Sequence, residues 1–339
     1  MLLFLRNEPE IFNIGDLLCT PKYYFDFRAK CIESTNRELF TLADTIIFGG
    51  GAFINFGEGY KFPYEKTVAW GIGSSVETLP HKAELPYRKY GIRDPDSVIE
   101  EENLIPCVSC LHPLVKIEPG KDTSIFVSSS PVVSINTDSL EDISSEVYSN
   151  GMDEISFIRA FRRTGKVITN SYHVAYWALL SGRSVSVLGF SSKFRSLFKL
   201  LGLNPENVNS FNKPINFREI AQEIEGIIDR DDFVNLVNYQ EVRDYCIVKN
   251  IKFARTCVEQ GLLPDFDIHK MVFGDMVKRK VKSRWKSSHF RDRLGSPRGK
   301  FRKYWDAISR GIDGSKSQRE DRRRGRISEG EGEDTEAEQ

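Results

Sequence analysis

The chain has 339 residues, 40% of them hydrophobic and 12% aromatic, a balance that excludes a fibrous or wholly disordered protein and leaves material for a large core. Its formal charge of zero hides segregation: residues 278–326 hold 19 basic against 5 acidic side chains, residues 327–339 hold 6 acidic and no basic ones, and residues 1–277 hold 29 basic against 37 acidic. Charge is therefore read segment by segment, and the acidic body argues against a dedicated nucleic-acid binder.

In chain order, residues 2–6 read as a short apolar first strand, and "NEPEIFNIGDLLC" as a loop running into a helix that starts near Gly15 and Asp16. "TIIFGGG" is a strand ending in three glycines, and "KTVAWGIGSS" repeats the format with Gly-x-Gly and two hydroxyl residues. "GIRDPDS" follows, with Asp96 or Ser97 as an N-cap for a helix. Strand, glycine corner, helix, strand is the rhythm of an open parallel α/β sheet. Apolar density drops around residues 111–121, which sets domain boundaries at 1–112 and 113–277. In the second domain "TSIFVSSSP", "VVSINTD", "GKVIT" and "RSVSVLGF" read as strands. "GMDEISFIRAFRRTG" reads as a helix presenting Ile155, Ile158 and Phe161 on one face. "NFREIAQEIEGIIDR" and "EVRDYCIVKNIKFARTCVEQGLL" are amphipathic helices closing the body. Beyond 277, residues 278–310 interleave Lys and Arg with Trp285, Phe290, Phe301, Tyr304 and Trp305, and the remainder is low in apolar residues, so the tail is expected to be largely disordered.

Six cysteines (19, 31, 107, 110, 246, 257) in a chain of this length do not make a disulfide scaffold. The apolar start is too short for a signal peptide, and no run of about 18 apolar residues exists to span a bilayer. A reducing, cytoplasmic location is the expectation.

The stretch "TNSYHVAYWALLSGRSVSVLGFSSK" carries the most chemistry. Asn170 or Ser171 caps a helix over residues 172–180, placing His173 in the first helical turn at the carboxyl end of a strand, where backbone N–H groups and the helix dipole attract anions. Lys193 leaves the neighbouring parallel strand on the same sheet edge, where open α/β folds bind ligands. The alternative is that His173 bonds a loop and Lys193 is solvated. The glycines 49–51, with Gly71, Gly73, Ser74 and Ser75, offer bare N–H groups and hydroxyls for an oxyanion, or simply tight corners. Asn13, Gly15 and Asp16 stand at the first corner, with Asp16 also readable as an N-cap. Arg93 and Asp94 are either a surface ion pair or an anion fork. Cys107 and Cys110 have C-x-x-C spacing without a second ligand pair and read as structural cysteines at the hinge, with His112 free to face the cleft. No metal-ligand cluster is legible, so no metal and no cofactor is expected.

Together these motifs resemble the polysaccharide pyruvyl transferase family: "NIGD", "TIIFGGGAFIN", "AWGIGSS", "GIRDPDS", then strand–His–helix–strand–Lys, over about residues 1–260. The resemblance implies two Rossmann-like domains facing across a cleft, as in GT-B glycosyltransferases, plus the basic, largely disordered C-terminal tail 278–339. It also implies transfer of pyruvate from phosphoenolpyruvate, as co-substrate, to a sugar as a ketal. Where the family usually reads Arg-x-His, this chain has Ser171-Tyr172-His173, so Arg93, Lys193 or His112 has to supply the missing cation.

On that resemblance His173 is the acid/base, with Arg93 and Asp16 in support. The donor binds Asn13, Gly15, Gly49, Gly50, Gly51, Gly71, Gly73, Ser74, Ser75, Asn170, Ser171 and Lys193. Asp94, His112 and Tyr172 line the acceptor side. The acceptor is a sugar of a surface or exopolysaccharide repeat unit, free or lipid-linked. The aromatic-basic stretch 278–310 suits the inner face of an anionic membrane or is a solubilising tail. The rivals are a GT-B glycosyltransferase using a nucleotide sugar, and a catalytically silent sugar-binding or assembly protein.

Overall fold

Runs such as TIIFG and TVAWGI are apolar at odd and even positions alike, which suits strands covered on both faces of a parallel sheet. The computed structural model, which describes residues 1–5, 12–34, 37–51, 63–73, 85–97, 100–128, 140, 146–189, 191–210 and 217–268, builds them that way. The elements are β1 (Leu2–Leu5), α1 (Ile14–Leu18), β2 (Phe25–Phe27), β3 (Cys31–Glu33), β4 (Thr45–Gly49), β5 (Thr67–Ile72) and β6 (Lys89–Ile92). There follow β7 (Asp122–Val127), β8 (Val147–Ser149), α2 (Glu154–Arg163), β9 (Thr164–Thr169), α3 (Tyr172–Leu180), β10 (Ser184–Gly189) and α4 (Lys193–Leu200). Last come β11 (Asn209–Ser210), α5 (Phe217–Arg230), α6 (Tyr239–Glu259) and β12 (Phe266–Ile268).

Two five-stranded sheets result, in the orders β3-β1-β4-β5-β6 and β11-β10-β9-β7-β8. Every pairing within them is parallel. The chain is thus α/β with parallel sheets, as the glycine-corner rhythm implied. All strands of the first sheet precede residue 93 and all those of the second follow residue 121, yet residues 1–276 form one compact unit.

The period-2 alternation decides which side chains go where. Leu2, Phe4, Val68, Trp70 and Phe126 join one large apolar cluster with Phe157, Phe161, Trp177, Phe198 and Phe253, drawn from both halves of the chain. Leu3, Leu5, Ile46 and Phe48 face the opposite way, into a smaller cluster beside the first sheet. Ile125, Val127 and Ile168 do the same in the second sheet, meeting Ile220, Ile224 and Ile227 of α5. Those three isoleucines, spaced four and three apart, form one helical face.

The chain closes by returning to its beginning. From α6, Asn250 accepts the indole N–H of Trp70 at 2.8 Å and donates to the Pro106 carbonyl at 3.2 Å. β12 then pairs antiparallel with β2, placing Phe266 5.1 Å from Phe25, edge to face.

Three expectations change. Instead of an α-helix after "GIRDPDS" there are 3₁₀ turns at Pro95–Ser97 and Glu101–Asn103, because Ile92 bridges Leu104 and holds the connection extended. On α2 the buried face is Phe157, Ile158, Ala160 and Phe161, while Ile155 is exposed, since Asp153 caps the helix and rotates Ile155 outward. The helix after "NIGD" is a single short one, capped by Asn13 rather than by Asp16. The strand expected at "VVSINTD", the hydroxyls Ser74 and Ser75, and the tail 278–339 lie outside the described residues. No helix among the described residues is long and apolar enough to cross a membrane.

Candidate functional site

The site begins with two helix starts tied to each other. Asn13 accepts the Gly15 amide at 2.8 Å, and the Asn150 side-chain amide bridges from Asn13 at 3.2 Å to the Ser171 hydroxyl at 3.1 Å. Asn150 also accepts the Ile14 amide on its carbonyl at 2.9 Å. The first turns of α1 and α3 are thereby fixed side by side. Ser171 holds the cap position of α3 without a side-chain capping bond; its hydroxyl is used by Asn150. The Asn170 side chain accepts the Ser128 amide at 2.7 Å, joining the ends of β7 and β9.

His173, one residue into α3, therefore lies over α1. Its ring stacks at 5.9 Å on Trp177 and meets Tyr172 edge-on at 5.3 Å. Nε2 is 2.8 Å from the Cys19 sulfur and 3.5 Å from a terminal guanidinium nitrogen of Arg93. Cys19 ends α1, its thiol donating to the Gly15 carbonyl at 2.9 Å, and its sulfur is 3.4 Å from that of Cys107. Cys107 in turn contacts the Ser109 hydroxyl at 3.1 Å, which the Trp177 indole N–H fixes at 2.9 Å. The imidazole and the two sulfurs form a close buried triangle.

Arg93 leaves β6 with its amide on the Ile72 carbonyl and lays its guanidinium 4.0 Å over the Tyr172 ring, a cation–π contact strengthened by desolvation. Burial alone would lower its pKa; Tyr172, Asp94 and the thiols reverse that and hold it charged. Its Nε–H and the Tyr172 hydroxyl are buried with no hydrogen-bond partner among the described residues. Burial keeps that phenol protonated. Burial also pushes both thiols up, but at Cys107 hydrogen bonds from Cys19 and His173 and the charge of Arg93 win. The Cys107 thiol is thereby held well below the usual thiol range, and burial with the neighbouring Cys107 holds Cys19 well above it.

The glycines expected to cradle an anion do a different job. A Cβ at Gly15 would collide with the His173 ring, one at Gly50 with Cys19, and one at Gly73 with Arg93 and Asp94. At Gly71 it would come within 2.9 Å of the Pro106 carbonyl and 3.3 Å of the Cys107 backbone. Gly50 and Gly71 also take φ of +66° and +60°, where a side chain is strained. Gly49 makes room for Pro21. The amides of Gly50 and Gly73 are spent on the Trp70 and Gly51 carbonyls. At Gly50 and Gly73 the corners clear space for functional side chains while their own amides are bonded to backbone.

Of the remaining expected residues, Asp94 is buried beside Arg93, its carboxylate packed over Gly73. Asp16 is partly exposed in α1 and acts on Cys19 through its charge. Lys193 opens α4, half-buried, 5.2 Å from the Phe194 ring, at the same sheet edge as His173 because β9 and β10 are parallel neighbours. His112 is not turned to an open cleft. It is buried, accepts the Leu114 amide at 3.1 Å and lies 3.5 Å from the buried Glu154 carboxylate.

Sequence reasoning missed Cys19 and Cys107. Cys19 had a signal, standing four residues after Gly15 on one helical face; Cys107 had none beyond a C-x-x-C spacing that proved misleading. Its neighbour Cys110 points elsewhere, 3.5 Å from the Asn250 side chain. The reading that no metal-ligand cluster exists is also corrected: the ligand atoms of Cys19, Cys107 and His173 lie within 4.8 Å of one another. No family model, curated protein or solved structure matches the chain.

Proposed function

We propose that this chain transfers pyruvate from phosphoenolpyruvate to a saccharide as a ketal, with His173 as the acid/base. One observation carries the reading: the NIGD, glycine-corner, IRD and NSYH motifs, far apart in sequence, meet at one buried point. There an imidazole stands beside a permanent cation with an unsatisfied N–H and a neutral phenol with an unsatisfied hydroxyl. Buried donors without acceptors are costly, and a phosphate or carboxylate oxygen would satisfy both. The guanidinium that the family pattern places two residues before the histidine is supplied here by Arg93, held against Tyr172.

In this reading the imidazole delivers a proton to C3 of the enol, leaving C2 electrophilic. One sugar hydroxyl adds to C2, phosphate departs with the C2–O bond, and a second hydroxyl of the same sugar closes the ring. The two hydroxyl protons balance the one taken by C3 and the one accepted by phosphate. Arg93 holds negative charge on the donor throughout. Lys193 approaches from the adjacent strand end. The acceptor is a repeat-unit sugar, free or lipid-linked, reached across a cleft between the two sheets' carboxyl edges, with residues 278–310 resting on an anionic membrane.

The test is phosphate release from phosphoenolpyruvate by the full chain with candidate oligosaccharides. His173→Ala is expected to slow release by about 10²–10⁴-fold, the contribution of a positioned acid/base. Unchanged release in that variant overturns the role of His173, and turnover with nucleotide sugars alone overturns the reaction in favour of glycosyl transfer.

A further inference from the structure

The triangle of Cys19, Cys107 and His173 contains more than proton transfer uses. The three groups come from separate, rigid places: the end of α1, the start of the 3₁₀ turn Val108–Leu111, and the first turn of α3. Each is backed by a fixed contact. Cys19 packs on Gly50, Cys107 on Gly71 and Ser109, and His173 on Gly15 and Trp177. Two sulfurs at 3.4 Å and a sulfur–nitrogen pair at 2.8 Å are close to the edges of a tetrahedral site, which bond lengths of about 2.3 Å to sulfur and 2.0 Å to nitrogen set at about 3.5–3.8 Å. To reach those edges the two sulfurs part by about 0.4 Å and the sulfur–nitrogen pair by about 0.7 Å.

We propose that Cys19, Cys107 and His173 form a binding site for a thiophilic divalent cation of the zinc class, with three protein ligands and a fourth position left to an exogenous group. Two thiolates and an imidazole select such an ion over magnesium or calcium, which require oxygen ligands. On binding, the ion displaces to solvent any proton a thiol still carries, and two thiolates cancel its charge. That cancellation matters because Arg93 stands 3.5 Å from the ligand nitrogen, and Asp94 balances the guanidinium in turn. The site rests on these side chains and not on the pyruvyl-transfer reading. An ion on Nε2 takes the nitrogen that acid/base work needs, so metal loading and phosphate release compete.

The experiment titrates the reduced full chain with cobalt(II). One equivalent is expected to give thiolate-to-cobalt charge-transfer absorption and the visible bands of a tetrahedral centre, both removed by zinc. Cys19→Ser and Cys107→Ser are each expected to weaken binding by more than about 100-fold, beyond the loss of an outer-shell partner, while Cys31→Ser leaves it unchanged. Where a variant fails to fold, the wild-type chain decides, because zinc should raise its thermal midpoint. Absence of both the cobalt spectrum and the zinc shift in the wild type overturns the site, as does full affinity in folded Cys107→Ser. Phosphate release by a chain that binds no metal removes this site alone; metal binding by a chain that, stripped of metal, releases no phosphate removes the transferase reading alone.

Discussion

Glycine at position 50 shows how one missing methyl group organises a site. Its φ of +66° and the Cys19 side chain packed where a Cβ would stand impose two separate penalties on any replacement. Gly50→Ala is expected to lower stability by about 2 kcal/mol or more, from left-handed strain plus displacement of a buried side chain. Urea denaturation with an unchanged slope and a lowered midpoint is the measurement; a midpoint equal to wild type would refute the argument. The same steric logic explains why the glycine motifs were visible in sequence while their purpose was not. A Gly-rich strand end announces close approach, but whether an anion or a cysteine approaches depends on residues about 20 to 36 positions away.

Among the elements, α3 was legible to the residue: nine apolar or aromatic positions from Tyr172 to Leu180, stopped by Ser181 and Gly182, all buried. The strands with apolar runs were legible too. β2, β3 and β8, three residues each, were not, because so short a run has no period to read. The start of β10 shows what holds these elements together. Arg183, fully buried, donates to the carbonyls of Thr164, Ile117, Glu118 and Phe161 and to the Ser181 hydroxyl, joining α2, β9 and the entry to β7. Arg183→Met keeps much of the volume but removes all five bonds at once, leaving Thr164 and Phe161 with one backbone donor each and Ile117 and Glu118 without the guanidinium. At about 1–3 kcal/mol for each unsatisfied group, the variant is expected to lose about 4 kcal/mol or more; a loss below about 1 kcal/mol would mean water reaches them.

For the molecule as a whole, the shared apolar core explains why two sheets separable in sequence fold as one unit: Phe4 and Trp70 of the first sit in the same cluster as Phe126 and Trp177. α6 is central to that cluster through Cys246, Phe253 and Cys257. Burial pushes the Cys246 thiol up to about 12, and the Cys257 thiol likewise to about 12 despite Lys89 nearby. An acid whose folded pKa is raised favours folding fully below its unfolded value and loses that advantage as pH climbs toward the folded one. Stability is therefore expected to hold up to about pH 9 and then fall toward pH 12 by an amount on the order of a few kcal/mol. The Cys246→Ala, Cys257→Ala double variant should show a flatter decline across that window; an equally steep one would assign the alkaline loss to other groups.

The pairing of β12 on β2 has a consequence during synthesis. About 240 residues separate Phe27 from Phe266, so at about 5–20 residues per second the ribosome takes tens of seconds to deliver the second strand after the first. Until then the rings of Phe25 and Phe27 have no Phe266 to cover them, and Trp70 has no Asn250. The amino-terminal sheet can start forming early but cannot finish until almost the whole body has emerged, so a chaperone that shields aromatic surface on nascent chains has its longest task there.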